Sequence, residues 1–93
     1  MKNKELRYQV NPLVKFHQIH DEVLFLFPKE KHFHALNDSG SWIWTQVRKG
    51  KSLPQMVKSF AKRYEISQAE AQRDIQAVIQ ALIQKKALKP RTR

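Results

Sequence analysis

Between residues 14 and 36 the chain carries three apolar segments set apart by short polar breaks. The segment "VKFHQIHD" (residues 14–21) mixes apolar and polar positions as a strand does. "EVLFLF" (22–27) is almost wholly apolar, the composition of a central strand. "HFHAL" (32–36) alternates with period two, which places Phe33 and Ala35 on one face and His32, His34 and Leu36 on the other. Pro28 closes the second strand in the turn "PKEK". Connections this short favour an antiparallel meander.

The pattern then changes within about four residues to a helical period. Asn37, Asp38 and Ser39 supply the side-chain oxygens that cap helix amides. A first helix is expected over residues 39–49, burying Ile43 and Val47 and ending at Gly50, which is suited to a left-handed C-terminal turn. Ser52 and Gln55 form the S-x-x-Q capping box of a second helix, with Pro54 tolerated in its first turn. Val57, Phe60, Ala61 and Tyr64 make its apolar face. Ser67 and Glu70 open a third helix running to about residue 86. Its stripe is Ala71, Ile75, Val78, Ile79 and Leu82. Residues 1–10 read as a flexible polar arm, 11–88 as one domain and 89–93 as a basic tail, frayed beyond Leu88. Three strands followed by three helices predict a small α+β domain of winged-helix-like architecture.

Composition narrows the function. Ninety-three residues suffice for one domain with a modest core. With no cysteine, disulfides and thiolate metal sites are excluded. The N-terminus lacks the apolar run of a signal peptide, and the longest apolar run, Val23 to Phe27, is too short to cross a bilayer. A cytoplasmic protein that does not engage a membrane is the expectation. The net charge is +10, and it is uneven: residues 1–36 carry six basic and four acidic side chains, residues 37–93 twelve and four. An anionic partner is implied, and charge alone does not choose among nucleic acid, a membrane surface and an acidic peptide.

The candidate chemistry is sparse. His17 with His20, and His32 with His34, have spacings that can hold a metal, but no cysteine or well-placed acid supports them; they read as polar residues of a sheet surface, and no metal or cofactor is expected. Asp74 has no nucleophile or base in a recognisable constellation, and two glycines leave no phosphate-binding loop, so no enzyme is expected. Gln68, Gln72, Gln76, Gln80 and Gln84 recur every four residues along the last helix. Glutamine can read adenine, and with the positive charge this makes a DNA-binding winged helix the alternative reading. Against it, only Arg73 lies in the central stretch of that ridge, and a solvated face of good helix formers has the same composition. On the same helix Asp74, Ala77, Ala81 and Lys85 follow a ridge beside the core stripe. Its alanines suit either a shallow peptide groove or close helix–sheet packing, and spacing does not choose. Trp42 and Trp44 lie about 200° apart on a helix, so one is expected in the core and the other at its margin.

The ordered set Asn11-Pro12, Leu36-Asn37, Gly40, Ile43-Trp44, Gly50, Ser52, Tyr64 with Ser67, Asp74-Ile75, Leu82 and Leu88 resembles the PqqD-like family. These are the pyrroloquinoline-quinone biosynthesis chaperone and the related recognition domains of ribosomal peptide maturation systems. The likeness spans about residues 11–88. Lys86-Ala87-Leu88 departs from the glycine-leucine common after the last helix, and Trp42 is bulkier than is usual there. The resemblance implies a non-catalytic peptide chaperone that binds the leader of a precursor peptide by strand addition. It would present that leader to a modification enzyme, such as a radical S-adenosylmethionine enzyme or a leader peptidase. It places the docking edge on Lys31, His32, Phe33, His34, Ala35 and Leu36, and it assigns Asp74, Ala77, Ala81 and Lys85 to a groove on the last helix. Trp44 becomes the core tryptophan, and Trp42 a candidate contact for the partner enzyme.

Overall fold

The computed structural model describes residues 6–20, 22–27 and 32–91. The expected meander is present: strands β2 (Lys15–Ile19), β3 (Glu22–Phe27) and β4 (His32–Ala35) form an antiparallel sheet in the order β2-β3-β4. It follows a short first strand, β1 (Arg7–Val10). Helices α1 (Asp38–Arg48), α2 (Leu53–Tyr64) and α3 (Gln68–Gln84) come next, and a last strand, β5 (Leu88–Arg91), closes the chain.

Each helix starts where the sequence supplies a cap. The Asn37 side chain accepts from the Gly40 amide, Ser52 and Gln55 complete the reciprocal capping box, and Ser67 accepts from the Glu70 amide. Gly50, at φ +82, makes the left-handed turn after α1. Helix α3 stops two residues short of the expected end. Lys86 adopts φ +65, its amide bonds the Ile83 carbonyl, and the Ala87 amide bonds the Leu82 carbonyl. These two bonds are the paired hydrogen bonds of a Schellman turn, here with lysine at the left-handed position.

The core lies between the inner face of the three-stranded sheet and the helices. Val23 and Phe25 point inward and are 0% and 1% exposed. Trp44 of α1, with no exposure, sets its ring edge-on to Phe25 at 4.7 Å and to Phe16 at 5.2 Å. The Arg48 guanidinium lies 4.9 Å over Phe16 and bonds the Gln18 amide oxygen, while Gln18 donates to Thr45 Oγ1. Trp42 is half-buried. Its ring meets Phe60 of α2 at 5.5 Å, so it packs on the second helix.

Ser41 joins the sheet to α1. Its buried hydroxyl accepts from the Val23 amide at 3.2 Å and donates to the Leu36 carbonyl at 3.3 Å. Those two groups would otherwise bond each other in the ladder, since Leu36 lies opposite Val23 and its amide donates to the Val23 carbonyl. The hydroxyl is thus inserted between β3 and β4. Ser41→Ala removes both bonds at this junction and forces β3 and β4 to close directly on each other, and should lower stability by about 1–3 kcal/mol in denaturant unfolding.

The two ends differ from expectation. The sequence places residues 7–10 in a flexible arm and frays the chain beyond Leu88; instead β1 and β5 pair antiparallel, with Arg7 opposite Arg91 and Val10 opposite Leu88. Tyr8 is buried, which pushes its phenol pKa above the ordinary value by desolvation. Pro90 is tolerated because a two-stranded ribbon leaves each strand one edge that needs no partner. Asn11 fastens the ribbon to the end of α3. Its side-chain amide donates to the Lys86 carbonyl at 2.7 Å, and its backbone amide donates to the Ala87 carbonyl at 2.9 Å. Among the described residues no helix is long and apolar enough to cross a membrane.

Candidate functional site

Strand β4 ends the sheet order, so among the described residues one of its edges carries no partner strand. The register fixes which backbone groups line that edge. Leu36 forms a direct bond with Val23, and bonded pairs alternate in an antiparallel ladder. His34 opposite Phe25, and His32 opposite Phe27, therefore spend their amides and carbonyls on β3. The amides and carbonyls of Phe33 and Ala35 point away from β3, toward the open edge. Two donors and two acceptors in register are a template for an added strand.

The side chains of β4 divide by the same parity. Phe33 is 62% exposed and Ala35 is exposed, both on the outer face of the sheet. His34 and Leu36 are half-buried on the inner side, and Leu36 packs against the core. Lys31 and the His32 side chain lie outside the described residues. His17 opposes Leu24 and His34 opposes Phe25, so these two histidines lie on opposite faces of the sheet. Among the described residues no group of three or more histidines and acids could hold a metal ion.

Asp74, Ala77, Ala81 and Lys85 are all exposed on α3. The alanines are therefore not used for close helix–sheet packing. At about 100° per residue, Asp74, Ala81 and Lys85 fall on the flank opposite Gln72 and Gln76, next to half-buried Val78. Gln68, Gln72 and Gln76 turn instead toward α2, where they line a cleft of about 400 Å³ with Leu6, Leu53, Pro54, Val57 and Lys58. A four-residue repeat advances about 40° per step, so the glutamines wind about 160° around α3 from Gln68 to Gln84. They do not form one straight reading edge for a DNA groove.

Trp42 borders a separate polar cleft of about 250 Å³ with Gln18, Asp38, Thr45, Lys49 and Arg63. Asp38 accepts from the Tyr64 hydroxyl at 2.8 Å, and the Arg63 guanidinium lies 5.6 Å over the Tyr64 ring. Sequence reasoning missed the hydrogen-bond parity of β4. Period two places Phe33 and Ala35 on one face, but which parity faces outward depends on the register with β3.

The fold is shared with two solved structures. One, described as TbiB1 in complex with the TbiA(beta) leader peptide, superposes with a TM-score of 0.79 over 91% of this chain and 99% of that one, at 25% identity. The other, lasso peptide synthetase B1 complexed with the leader peptide, gives 0.78 over 90% and 99% at 21% identity, a likeness of fold. No curated protein sequence matches the chain significantly. Residues 22–88, from the first residue of β3 to the first of β5, match the family described as coenzyme PQQ synthesis protein D. That stretch contains the β4 edge, all three helices and the Schellman turn; the chain belongs to the PqqD family.

Proposed function

We propose that this protein is a non-catalytic recognition element that binds the leader of a ribosomally made precursor peptide. The leader adds as a strand to the open edge of β4, along Lys31, His32, Phe33, His34, Ala35 and Leu36, and borders the Asp74, Ala77, Ala81 and Lys85 flank of α3. The bound leader is presented to a maturation enzyme, of the radical S-adenosylmethionine or leader-peptidase kind, with Trp42 at the contact. The observation that carries this reading is the parity of β4: the Phe33 and Ala35 amides face an open edge. It is supported by a fold shared with a protein solved with a leader peptide on it.

The test sets the leader of a precursor encoded beside this gene against duplex DNA, both by calorimetry. Main-chain hydrogen bonds and apolar anchors are little screened, so leader affinity should fall only severalfold from about 50 to 200 mM salt. DNA binding depends on counterion release and should be lost over that range. A sequence-preferring duplex held more tightly than the leader at the higher salt would reverse the assignment.

The α3 flank gives a second measurement. Ala77→Trp and Ala81→Trp add bulk to an exposed ridge, so melting should stay within a few degrees of wild type. Leader affinity should fall by at least about tenfold, the cost of expelling one well-packed side chain. Unchanged affinity in both variants would take α3 out of the site.

A further inference from the structure

The register builds two rows across the outer face of the sheet. Lys15, Leu26 and Phe33 make one, and His17, Leu24 and Ala35 the other. Leu24 and Leu26 are only half-buried, and Phe33 is 62% exposed, so this face carries apolar surface on show to solvent. Ala35 is the short member of its row. Its methyl group sits beside Leu24 across the pair, and Phe33 stands two residues back on the same face of β4. The result is a step at the rim of the sheet, walled by Phe33 and floored by Ala35 and Leu24.

A strand added to β4 brings one residue beside Ala35, on the same face, because neighbouring strands share their pleat. Cross-strand neighbours lie about 5 Å apart, and diagonal ones at about 7–8 Å are still within reach of long side chains. A bulky side chain at this position can cross the Ala35 methyl to Leu24 and cover the near side of the Phe33 ring. The residue two positions away lies beside Phe33 itself, where the ring already fills the rim. The intervening residues point to the inner face.

We infer that the step at Ala35 is a selectivity subsite for a single bulky apolar residue (aromatic, leucine or methionine) of the strand bound at β4. This rests on the strand-addition reading above and goes beyond it by stating which leader side chain the sheet selects and why. Ala35 sets the size of that side chain, and Phe33 and Leu24 set its apolar character.

The probe is a set of random linear peptides displayed on phage and selected on the wild-type protein. The tightest clone is then made as a free peptide and measured by calorimetry. Selected peptides should share one bulky apolar position, and shortening it to alanine should weaken binding by about tenfold to a hundredfold. Ala35→Leu fills the step, so it should weaken the parent peptide by a similar factor. It should also reverse the preference, binding the alanine-shortened peptide better than the parent. Ala35→Val, a smaller change that favours strand, should show the same reversal in part. Ala35→Pro should bind neither peptide. If the two losses simply add in Ala35→Leu while Ala35→Pro still abolishes binding, the edge stands and the subsite falls. If a well-folded Ala35→Pro variant keeps binding, strand addition at β4 itself is refuted.

Discussion

Proline at Ala35 should abolish leader binding and leave the protein folded, whereas proline one residue earlier, at His34, should break the sheet. The contrast comes from which side of β4 each amide faces. The Ala35 amide points to the open edge, where an edge strand tolerates proline because no ladder bond is lost within the domain. In the proposed complex that same amide would donate to the incoming strand. Losing it, and leaving the peptide carbonyl opposite without a partner, should reduce affinity by on the order of a hundredfold, which takes a micromolar leader out of calorimetric range. Phe33→Pro should behave alike. The His34 amide belongs to the bonded pair with Phe25, at the inner face where Phe25 is 1% exposed. Its loss orphans a carbonyl beside the core, for about 1–3 kcal/mol, and strains the pairing that carries Phe25 against Trp44. Calorimetry and thermal melts on the three variants separate the outcomes. Equal loss of fold in all three would mean that β4 has no free edge.

The second large effect falls on Trp44. Its ring is wholly buried between Phe16 and Phe25, yet its indole Nε1 finds no hydrogen-bond partner among the described residues. Trp44→Ala removes the largest core side chain and should cost about 3–5 kcal/mol, a large share of the stability of a domain this size. Trp44→Phe is different. It keeps an aromatic ring against Phe25, gives up part of the buried area, and removes a buried donor that has no acceptor. These terms oppose each other, and the net change should stay below about 1.5 kcal/mol by urea unfolding. A Trp44→Phe variant as unstable as Trp44→Ala would show that the indole N–H is bonded in solution.

Much of the fold was legible because its signals are local. The Asn37, Ser52 and Ser67 caps, the Gly50 stop and the period-two segment at residues 32–35 each act within a few residues, and all are where the pattern places them. Ile43 and Trp44 read as core and are buried. The β1–β5 ribbon was not legible, because its partners lie at opposite ends of the chain. "RYQV" alternates for only four residues, and "LKPR" contains a proline and two cations, so neither segment declares a strand by itself. Leu88 hinted otherwise, as an apolar residue at the head of the basic tail, and it is 2% exposed.

The open edge of β4 was legible as a segment and not as a pattern of free amides. Alternation in residues 32–36 identified the strand and sorted its side chains into two faces. Only the register with β3, set through Leu36 and Val23, shows which amides are left over. The α3 ridge was ambiguous in the same way. Alanines at positions 77 and 81 fit packing or a groove equally well, and their exposure argues only against the packing.

The Asn11 clamp bears on the order in which this chain assembles. Its side chain and the Lys86 carbonyl it holds are 75 residues apart, whereas the meander and the helix pair α2–α3 close through neighbours in sequence. Contacts over such spans pay a large loop-closure entropy before they return anything, so they form late. On the ribosome the penalty becomes a delay. β1 is synthesised before every other element, but it stays without its partner until β5 has left the exit tunnel. The sheet and helices can be in place by then, and the nascent domain passes through a stage with an unclosed seam along Tyr8 and Leu88. The first described strand of the domain is thus the last to gain its ribbon partner.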